Sequence, residues 1–307
     1  MQAVAWSAIF RWFKLLGSNV SMTEMTKQSG RVEVQKDIVF GTGGGRDLKC
    51  DVYLPPEDGK DRMAILLIHG GGWRLGDKSM LKGYGIQLAR YGFVCVCCEY
   101  RLSGESVWPA QIEDCKAALR WMKTNADSLK IDANRIAVSG NSAGGHLSLM
   151  MGGTPNIAEF EGAGGNAGVD TSVAAVVSMY SGSKLRTSGN PKAPVDMLFG
   201  RSDVDESTLA KASPITWSSG QFPPTLLIHG NKDTVSSVSG TLDMYRQLSE
   251  DGADVEMHIY AGAPHGFDAF SEFRQQITDI IALFIDRHLN EPRFVGFVPP
   301  AERLFPR

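Results

Sequence analysis

Short, almost wholly apolar segments alternate with segments of helical periodicity along most of this chain. MAILLIH (63–69), FVCVCCEY (93–100) and TLLIHG (225–230) have no continuous polar face that could meet water. After Pro109, apolar residues recur every three or four positions, as they do on one face of a helix. This alternation predicts an α/β fold with a mostly parallel central sheet and helices on both of its faces.

One long segment, residues 181–222, interrupts the alternation. It is too long for a simple connection and carries few strand signals. We predict a small cap insertion over the carboxyl edge of the sheet, where ligands bind in folds of this class; a surface excursion without a role is the alternative. The chain then divides into an N-terminal helix or cap segment (1–30), a main domain (31–290) and a C-terminal tail (291–307).

Apolar residues near the N-terminus recur at helical spacing, at Trp6, Phe10, Phe13 and Leu16. The apolar stretch is interrupted by two basic residues, so it is shorter than the roughly 20 residues of a membrane span. It also lacks the charge order of a secretory signal. We predict a helix packed on its own domain and no stable membrane insertion, with a lid or a membrane contact as alternatives.

Charge and cysteine content limit the partners and the compartment. The chain has 31 basic and 34 acidic residues, a net charge of −3, which gives no reason to expect a nucleic-acid partner. Three of the five cysteines are neighbours in one predicted strand, where they cannot pair with each other without distortion. Reduced, packed thiols predict a cytoplasmic location. The sequence leaves a homodimer open.

The segment RIAVSGNSAGGHLS contains Gly-x-Ser-x-Gly at residues 140–144. An apolar strand precedes the motif and a helix follows it, which is the context in which a serine is lifted above a sheet on a sharp turn. Gly140 and Gly144 flank Ser142 because side chains would clash where strand and helix approach. The free N–H groups at the helix start favour an anion at the same point.

Other glycine-rich turns do not carry a phosphate-binding pattern. Neither Gly-x-Gly-x-x-Gly nor a turn ending in Gly-Lys-Ser/Thr occurs at 138–147, at 41–47 or at 161–168. No His, Cys or Asp cluster has metal-ligand spacing. We therefore predict a protein without an organic cofactor or a metal.

A serine nucleophile needs a base and a group that orients the base. His265 in YAGAPHGF follows the last predicted strand and precedes the last helix, so it is the predicted base. Asp233 follows the apolar strand that ends at His229, and is the predicted orienting acid. Of the remaining histidines, His258 is predicted to lie buried in a core strand and His288 to be solvated.

HGGGW (69–73) follows another apolar strand and predicts an oxyanion hole. Its glycines let the backbone bend until the N–H groups of Gly71 and Gly72 point at one spot, with the N–H of Ala143 as a third donor. One such donor is worth about 2.7–4 kcal/mol of transition-state stabilisation. Trp73 is a candidate substrate-binding residue, and His69 is predicted to brace the loop.

From about residue 36 to residue 289 the chain resembles esterases of the α/β-hydrolase superfamily. It is similar to the hormone-sensitive-lipase-like carboxylesterases, and to the bifunctional feruloyl and acetyl-xylan esterases in particular. The motifs that carry the resemblance are HGGGW, EYRLSGE, WPAQIEDCKAALRWM, NRIAVSGNSAGGHLS, HGNKDTV and PHGF. The resemblance implies an α/β-hydrolase fold, whose triad has the chain order Ser142, Asp233, His265. Many relatives have aspartate before the nucleophile, where this chain has Asn141.

These residues predict a serine carboxylic-ester hydrolase that acts on short-chain acyl or aryl esters through an acyl-serine intermediate. HGGGW also fits the His-Gly-Gly-x-Trp pattern of arylformamidases, so an arylformamidase-like hydrolase is an alternative, as is a feruloyl or acetyl-xylan esterase. A further alternative is a non-catalytic ligand-binding protein on the same fold, such as the plant gibberellin receptor. Receptors of that kind lose the catalytic histidine, and His265 is present.

Overall fold

The computed structural model describes residues 25–290. The helix predicted on Trp6–Leu16 and the predicted tail at 291–307 lie outside the described residues. The described part contains an eight-stranded sheet with the strand order β1-β2-β4-β3-β5-β6-β7-β8. The strands are β1 (Glu33–Gly43), β2 (Arg46–Leu54), β3 (Arg62–Ile68), β4 (Val94–Cys98), β5 (Ile131–Asn141), β6 (Ala175–Met179), β7 (Thr225–Gly230) and β8 (Val255–Tyr260).

Most of the sheet is parallel. Strand β2 pairs antiparallel with both β1 and β4, and every neighbouring pair from β4 to β8 across the sheet is parallel. The parallel strands therefore end at one edge, where the loops that follow β3, β5, β6, β7 and β8 meet. This topology confirms the predicted α/β class.

Helices cover both faces of the sheet. Together with the short helices of the connecting segments, the α-helices of residues 25–290 are α1 (Lys82–Ala89), α2 (Ala110–Thr124), α3 (Ala126–Leu129), α4 (Ala143–Gly153), α5 (Pro194–Phe199), α6 (Glu206–Lys211), α7 (Val238–Glu250) and α8 (Ser271–Leu289). Successive side chains of β3 point to opposite faces, as a strand requires. Leu66 belongs to the buried cluster that includes α2, α4 and α7, whereas Ile65 and Leu67 belong to the cluster that includes α1 and α8.

The cysteines are free and buried: Cys50, Cys95, Cys97, Cys98 and Cys115. Burial raises the pKa of the Cys95 and Cys97 thiols, because a thiolate would lose its hydration inside the protein. They pack as small apolar side chains, as predicted. Within residues 25–290, no helix is both long and apolar enough to cross a bilayer.

The segment 181–222 contains short helices rather than strands. Pro194 opens α5, Gly200 closes it in the left-handed conformation, and Asp205 caps the first turn of α6 by accepting the N–H of Thr208. A 3₁₀ turn at Pro214–Trp217 then leads to β7. The beginning of this segment lines the cleft at the carboxyl edge of the sheet.

Candidate active site

Ser142 lies at the sharp turn between β5 and α4. Its backbone has φ +52° and ψ −118°, a conformation that residues other than glycine rarely adopt. The N–H of Ser142 donates to Met179 O at 2.8 Å, which ties the turn to the end of the neighbouring strand β6. The strained turn exposes the serine hydroxyl to the cleft.

The two glycines of the motif lie where the backbones are in contact. A Cβ on Gly140 would lie 2.4 Å from the backbone of Gly144, and a Cβ on Gly144 would lie 2.0 Å from Ile68 O. No relaxation of a side chain could relieve these clashes, since the opposing atoms belong to the backbone of α4 and β3. Glycine is therefore required at both positions for strand, turn and helix to pack.

His265 reaches the serine from the loop after β8. Its Nε2 lies 2.9 Å from Ser142 Oγ, and its Nδ1 lies 2.6 Å from Asp233 Oδ2. An ionised carboxylate only accepts hydrogen bonds, so Nδ1 carries the hydrogen and Nε2 is left free to accept from the hydroxyl. The structure thus brings together the three residues that the sequence predicts as nucleophile, base and acid.

The Asp233 carboxylate is fully buried at the end of β7. Besides His265, it accepts the backbone N–H groups of Val235 and Ser236, both at 2.8 Å on Oδ1. These bonds fix the carboxylate in one orientation. A fixed acceptor in turn holds the imidazole of His265 in one tautomer and one orientation.

A second histidine lies beside the same carboxylate. His229 Nε2 is 3.2 Å from Asp233 Oδ2 and 2.9 Å from Ser236 O, and Nδ1 is 2.6 Å from Thr241 Oγ1. A carbonyl oxygen only accepts, so the hydrogen is on Nε2 and the hydroxyl of Thr241 donates to Nδ1. Burial lowers the pKa of His229. The sequence gives His229 no predicted role; its position four residues before Asp233 is the signal that it lies near the carboxylate.

The glycine loop after β3 folds back against the serine turn. Gly71 and Gly72 have φ +111° and +61°, and a Cβ on Gly71 would lie 2.1 Å from Leu75 O. A Cβ on Gly70 would lie 2.8 Å from Asn141 O, next to the nucleophile. Gly71 and Gly72 therefore line the same cleft as Ser142 and Ala143.

His69, the first residue after β3, supports this loop through its buried side chain. Its side chain is buried, its Nδ1 lies 2.7 Å from Gly70 O, and its ring stacks on Tyr100 with the ring centres 4.3 Å apart. The Tyr100 hydroxyl donates to His69 O at 3.0 Å. Burial lowers the pKa of His69, so the ring is neutral and serves as a brace.

The predicted core position of His258 is wrong. His258 lies on the edge strand β8 rather than in the core; its side chain is 36% exposed and its Nε2 is 2.7 Å from Glu256 Oε1. An apolar pattern in the sequence does not distinguish an edge strand from a central one. His288, predicted to be solvated, is partly exposed; its ring packs against the Phe284 ring at 4.6 Å, and burial lowers its pKa.

Aromatic side chains close one wall of the cleft, which has a volume of about 930 Å³. Trp73 is 7% exposed and contacts the His146 ring edge-on at 5.1 Å. Behind it, His146 contacts Trp108 at 5.8 Å, and its Nε2 lies 2.8 Å from Ala212 O. Phe160 packs behind Trp108. Trp73 and His146 line the same cleft as Ser142.

A family model covers most of the described domain. The BD-FAE model matches residues 50–248, which include the glycine loop, Ser142 and Asp233. The chain belongs to the BD-FAE family. His265 lies beyond the matched segment, so its assignment depends on the geometry given above.

Curated proteins similar to this BD-FAE chain include two from Mycobacterium tuberculosis. Esterase LipC is 33% identical over 76% of this chain and 61% of its own length. The probable carboxylic ester hydrolase LipM is 32% identical over 83% of this chain and 60% of its own length. The chain thus spans about three fifths of the length of these relatives.

Solved structures support the fold. A truncated carbohydrate esterase from gut microbiota superposes with a TM-score of 0.74 at 26% identity, over 86% of this chain and 98% of that one. Esterase 2 of the planctomycete Thermogutta terrifontis superposes with a TM-score of 0.70 at 22% identity, over 94% of this chain and 99% of that one. The likeness confirms the predicted α/β-hydrolase fold.

The buried His146 generates a prediction about acid stability. Burial lowers its pKa to about 4, whereas the unfolded side chain titrates near 6.5. The unfolded state therefore binds the extra proton, and the free energy of unfolding falls as pH drops from about 6.5 to about 4. Replacing His146→Asn should lower stability at pH 7.5 and reduce this slope, by up to about 1.4 kcal/mol per pH unit.

Urea unfolding of the wild type and His146→Asn at pH 7.5, 5.5 and 4.5 measures the slope. His69 and His229, whose pKa values burial also lowers, contribute equally to both proteins. His258→Asn, on the partly exposed edge strand, is the matched control. Equal slopes in the wild type and His146→Asn would show that His146 does not stay neutral in the folded state.

Proposed function

We propose that this chain is a serine carboxylic-ester hydrolase in which Ser142 is the nucleophile, His265 the base and Asp233 the orienting acid. The observation that carries the proposal is the continuous hydrogen-bonded series from Ser142 Oγ through the His265 ring to the buried Asp233 carboxylate, at 2.9 and 2.6 Å. This series lies beside a glycine loop at the carboxyl edge of the sheet. The names of the similar proteins, esterases and an ester hydrolase, support the same reaction.

In the proposed acylation step, Ser142 Oγ bonds to the ester carbonyl carbon while its proton passes to His265 Nε2. The carbonyl π electrons move to the oxygen, and the N–H groups of Gly71, Gly72 and Ala143 are the proposed donors to this oxyanion. When the tetrahedral intermediate collapses, the C–O bond to the alcohol breaks and the alkoxide takes the proton from His265. The products are an acyl-serine and a free alcohol.

Deacylation repeats these steps with water as the nucleophile. His265 Nε2 takes a proton from the water as its oxygen bonds to the acyl carbon, and returns the proton to Ser142 Oγ as the acyl–serine bond breaks. The Asp233 carboxylate stabilises the imidazolium that forms in both halves. Because His229 is neutral, no second cation at the carboxylate competes with that imidazolium. Neither half of the reaction needs a metal or an organic cofactor.

The walls of the cleft support esters of short acyl groups as substrates. Trp73 and His146 close the cleft beside Ser142, and Trp108 fills the space behind them. A long acyl chain would need an apolar channel through this cluster. The wall can still offer a flat aromatic surface to an aryl ester.

A second candidate is an esterase of acylated carbohydrates. The gut carbohydrate esterase that superposes on this chain favours it. Serine hydroxyl groups that solvent reaches line the cleft and would suit a polyhydroxylated alcohol. They belong to Ser236, Ser237 and Ser239. We also propose a cytoplasmic location, which the free, buried cysteines support.

The triad assignment predicts non-additive losses. Ser142→Ala and His265→Ala should each lower kcat/KM for p-nitrophenyl butyrate by at least about 10⁴-fold, and the double variant should lose little more, because triad members act as a unit. His258→Ala, the same substitution on the edge strand, is the control and should retain activity. Near-normal turnover by Ser142→Ala, or losses that multiply in the double variant, would contradict the assignment.

The aromatic wall predicts a preference for short acyl chains. The wild type should hydrolyse p-nitrophenyl acetate or butyrate at least about tenfold faster in kcat/KM than the palmitate ester, a difference of about 1.4 kcal/mol. Trp73→Ala should shift the preference toward octanoate and palmitate. Trp217→Ala, which removes a tryptophan behind Phe160, should leave it unchanged.

The measurement is the ratio of kcat/KM values within each variant, which does not depend on the fraction of folded enzyme. Methyl ferulate, acetylated xylan and N-formylkynurenine complete the substrate panel. A palmitate or N-formylkynurenine rate tenfold above the short esters would replace the proposal by a lipase or an arylformamidase.

A further inference from the structure

A buried carboxylate outside the triad lies close to the base. Asp268 is 6% exposed and follows His265 by three residues, in the 3₁₀ turn Phe267–Ala269. One of its oxygens accepts a short hydrogen bond from the Tyr180 hydroxyl, and the other accepts from the Tyr84 hydroxyl at 3.2 Å. The ester-hydrolysis steps do not use this carboxylate.

Tyr180 connects this carboxylate to the reacting residues. It follows β6 and is 2% exposed, so the surrounding packing holds its ring in place. Its ring meets the His265 imidazole nearly edge-on, with centres 4.9 Å apart and planes at 71°. Its hydroxyl oxygen also lies 2.9 Å from Nδ2 of Asn141, the residue that precedes Ser142. One side chain therefore contacts both the base and the nucleophile turn.

The hydrogen bonds of this group run in one direction. A phenol has a single hydrogen, and Tyr180 donates it to Asp268 Oδ1. Asn141 must then donate from Nδ2 to the Tyr180 oxygen, which fixes the amide orientation. The other amide atom, Asn141 Oδ1, faces the glycine loop, 3.1 Å from where a Cβ on Gly70 would lie. The order of donors is Asn141, then Tyr180, then Asp268.

We propose that Asn141, Tyr180 and Asp268 are positioning residues for the reaction, a directed hydrogen-bond series that holds the Ser142 turn in register with His265. The inference rests on the proposed function. The series links the last residue of β5, the residue after β6 and the turn after β8. It acts through Ser142 and His265, and its removal should lower kcat more than it changes KM.

The first test compares Tyr180 and Tyr84, whose hydroxyl groups both donate to the Asp268 carboxylate. Tyr180→Phe keeps the ring against His265 and removes both hydrogen bonds, so kcat should fall by about 10- to 100-fold, as expected for a small misplacement of reacting groups. Tyr84→Phe removes the other phenol from the same carboxylate; Tyr84 does not line the cleft among the described residues. Its kcat should change by no more than about twofold.

Both variants should stay folded without urea, and Tyr180→Phe should unfold at a somewhat lower urea concentration, since it also leaves Asn141 Nδ2 without its acceptor. KM for p-nitrophenyl butyrate should stay within about threefold of the wild type in both. Equal losses of kcat in Tyr180→Phe and Tyr84→Phe would show that the group supports stability alone, and would overturn the positioning role.

The second test uses the direction of the series. Asn141→Asp places two carboxylates around one phenol hydrogen, so it should lower both kcat and the urea midpoint. Adding Asp268→Asn lets the phenol donate to the new carboxylate at 141, while the new amide donates to the phenol oxygen and accepts from Tyr84. The double variant should recover at least about tenfold in kcat over Asn141→Asp.

A double variant with no higher kcat and no higher urea midpoint than Asn141→Asp would contradict the proposed direction. The urea midpoints test the direction of the hydrogen bonds even if the protein hydrolyses no ester. A lack of ester hydrolysis would count against the proposed function and not against this direction. If the wild type hydrolyses esters and Ser142→Ala does not, while the Tyr180→Phe and Asn141→Asp variants match the wild type in kcat, only the positioning role fails.

Discussion

The close approach of three backbone segments determines the geometry of the site. Strands β3 and β5 and the start of α4 meet where Gly140 and Gly144 lie against Ile68 O, with no space for a Cβ on either glycine. The chain must therefore turn sharply between β5 and α4, and Ser142 adopts its strained conformation at the apex. The glycine loop after β3 packs against the same turn through Gly70. The backbone thus fixes the serine, and the other groups are placed around it.

Buried histidines surround the site without competing for its proton. Burial lowers the pKa values of His69, His146 and His229, so these rings are neutral braces for the glycine loop, the aromatic wall and Asp233. The His265 side chain is 21% exposed and reaches the cleft. The fold therefore separates the structural histidines from the proposed base by solvent access, while Asp233 orients that base.

The local motifs contained most of this arrangement. Strand and helix periodicity predicted the α/β fold, and the strand–turn–helix context of Ser142 and the loop position of His265 predicted which side chains would meet at the carboxyl edge. The roles of these residues, and of Gly71, Gly72 and Ala143 as donors, stay predictions. Long-range packing could not be predicted from the sequence, because the order of strands in the sheet is not visible there. That order puts His258 on an edge strand. Long-range packing also brings Tyr180 and Asp268, 88 positions apart, into one hydrogen bond.

The central claim, that Ser142 forms the covalent bond to substrate, is tested most directly by reaction with diethyl p-nitrophenyl phosphate, which transfers its phosphoryl group to an activated serine. Mass spectrometry of the intact protein and of its peptides identifies the modified residue. We expect loss of activity in step with one diethylphosphoryl group on Ser142, and no labelling of the Ser142→Ala variant. Inactivation with the group on another residue, or an unlabelled Ser142 in an inactivated protein, would contradict the claim.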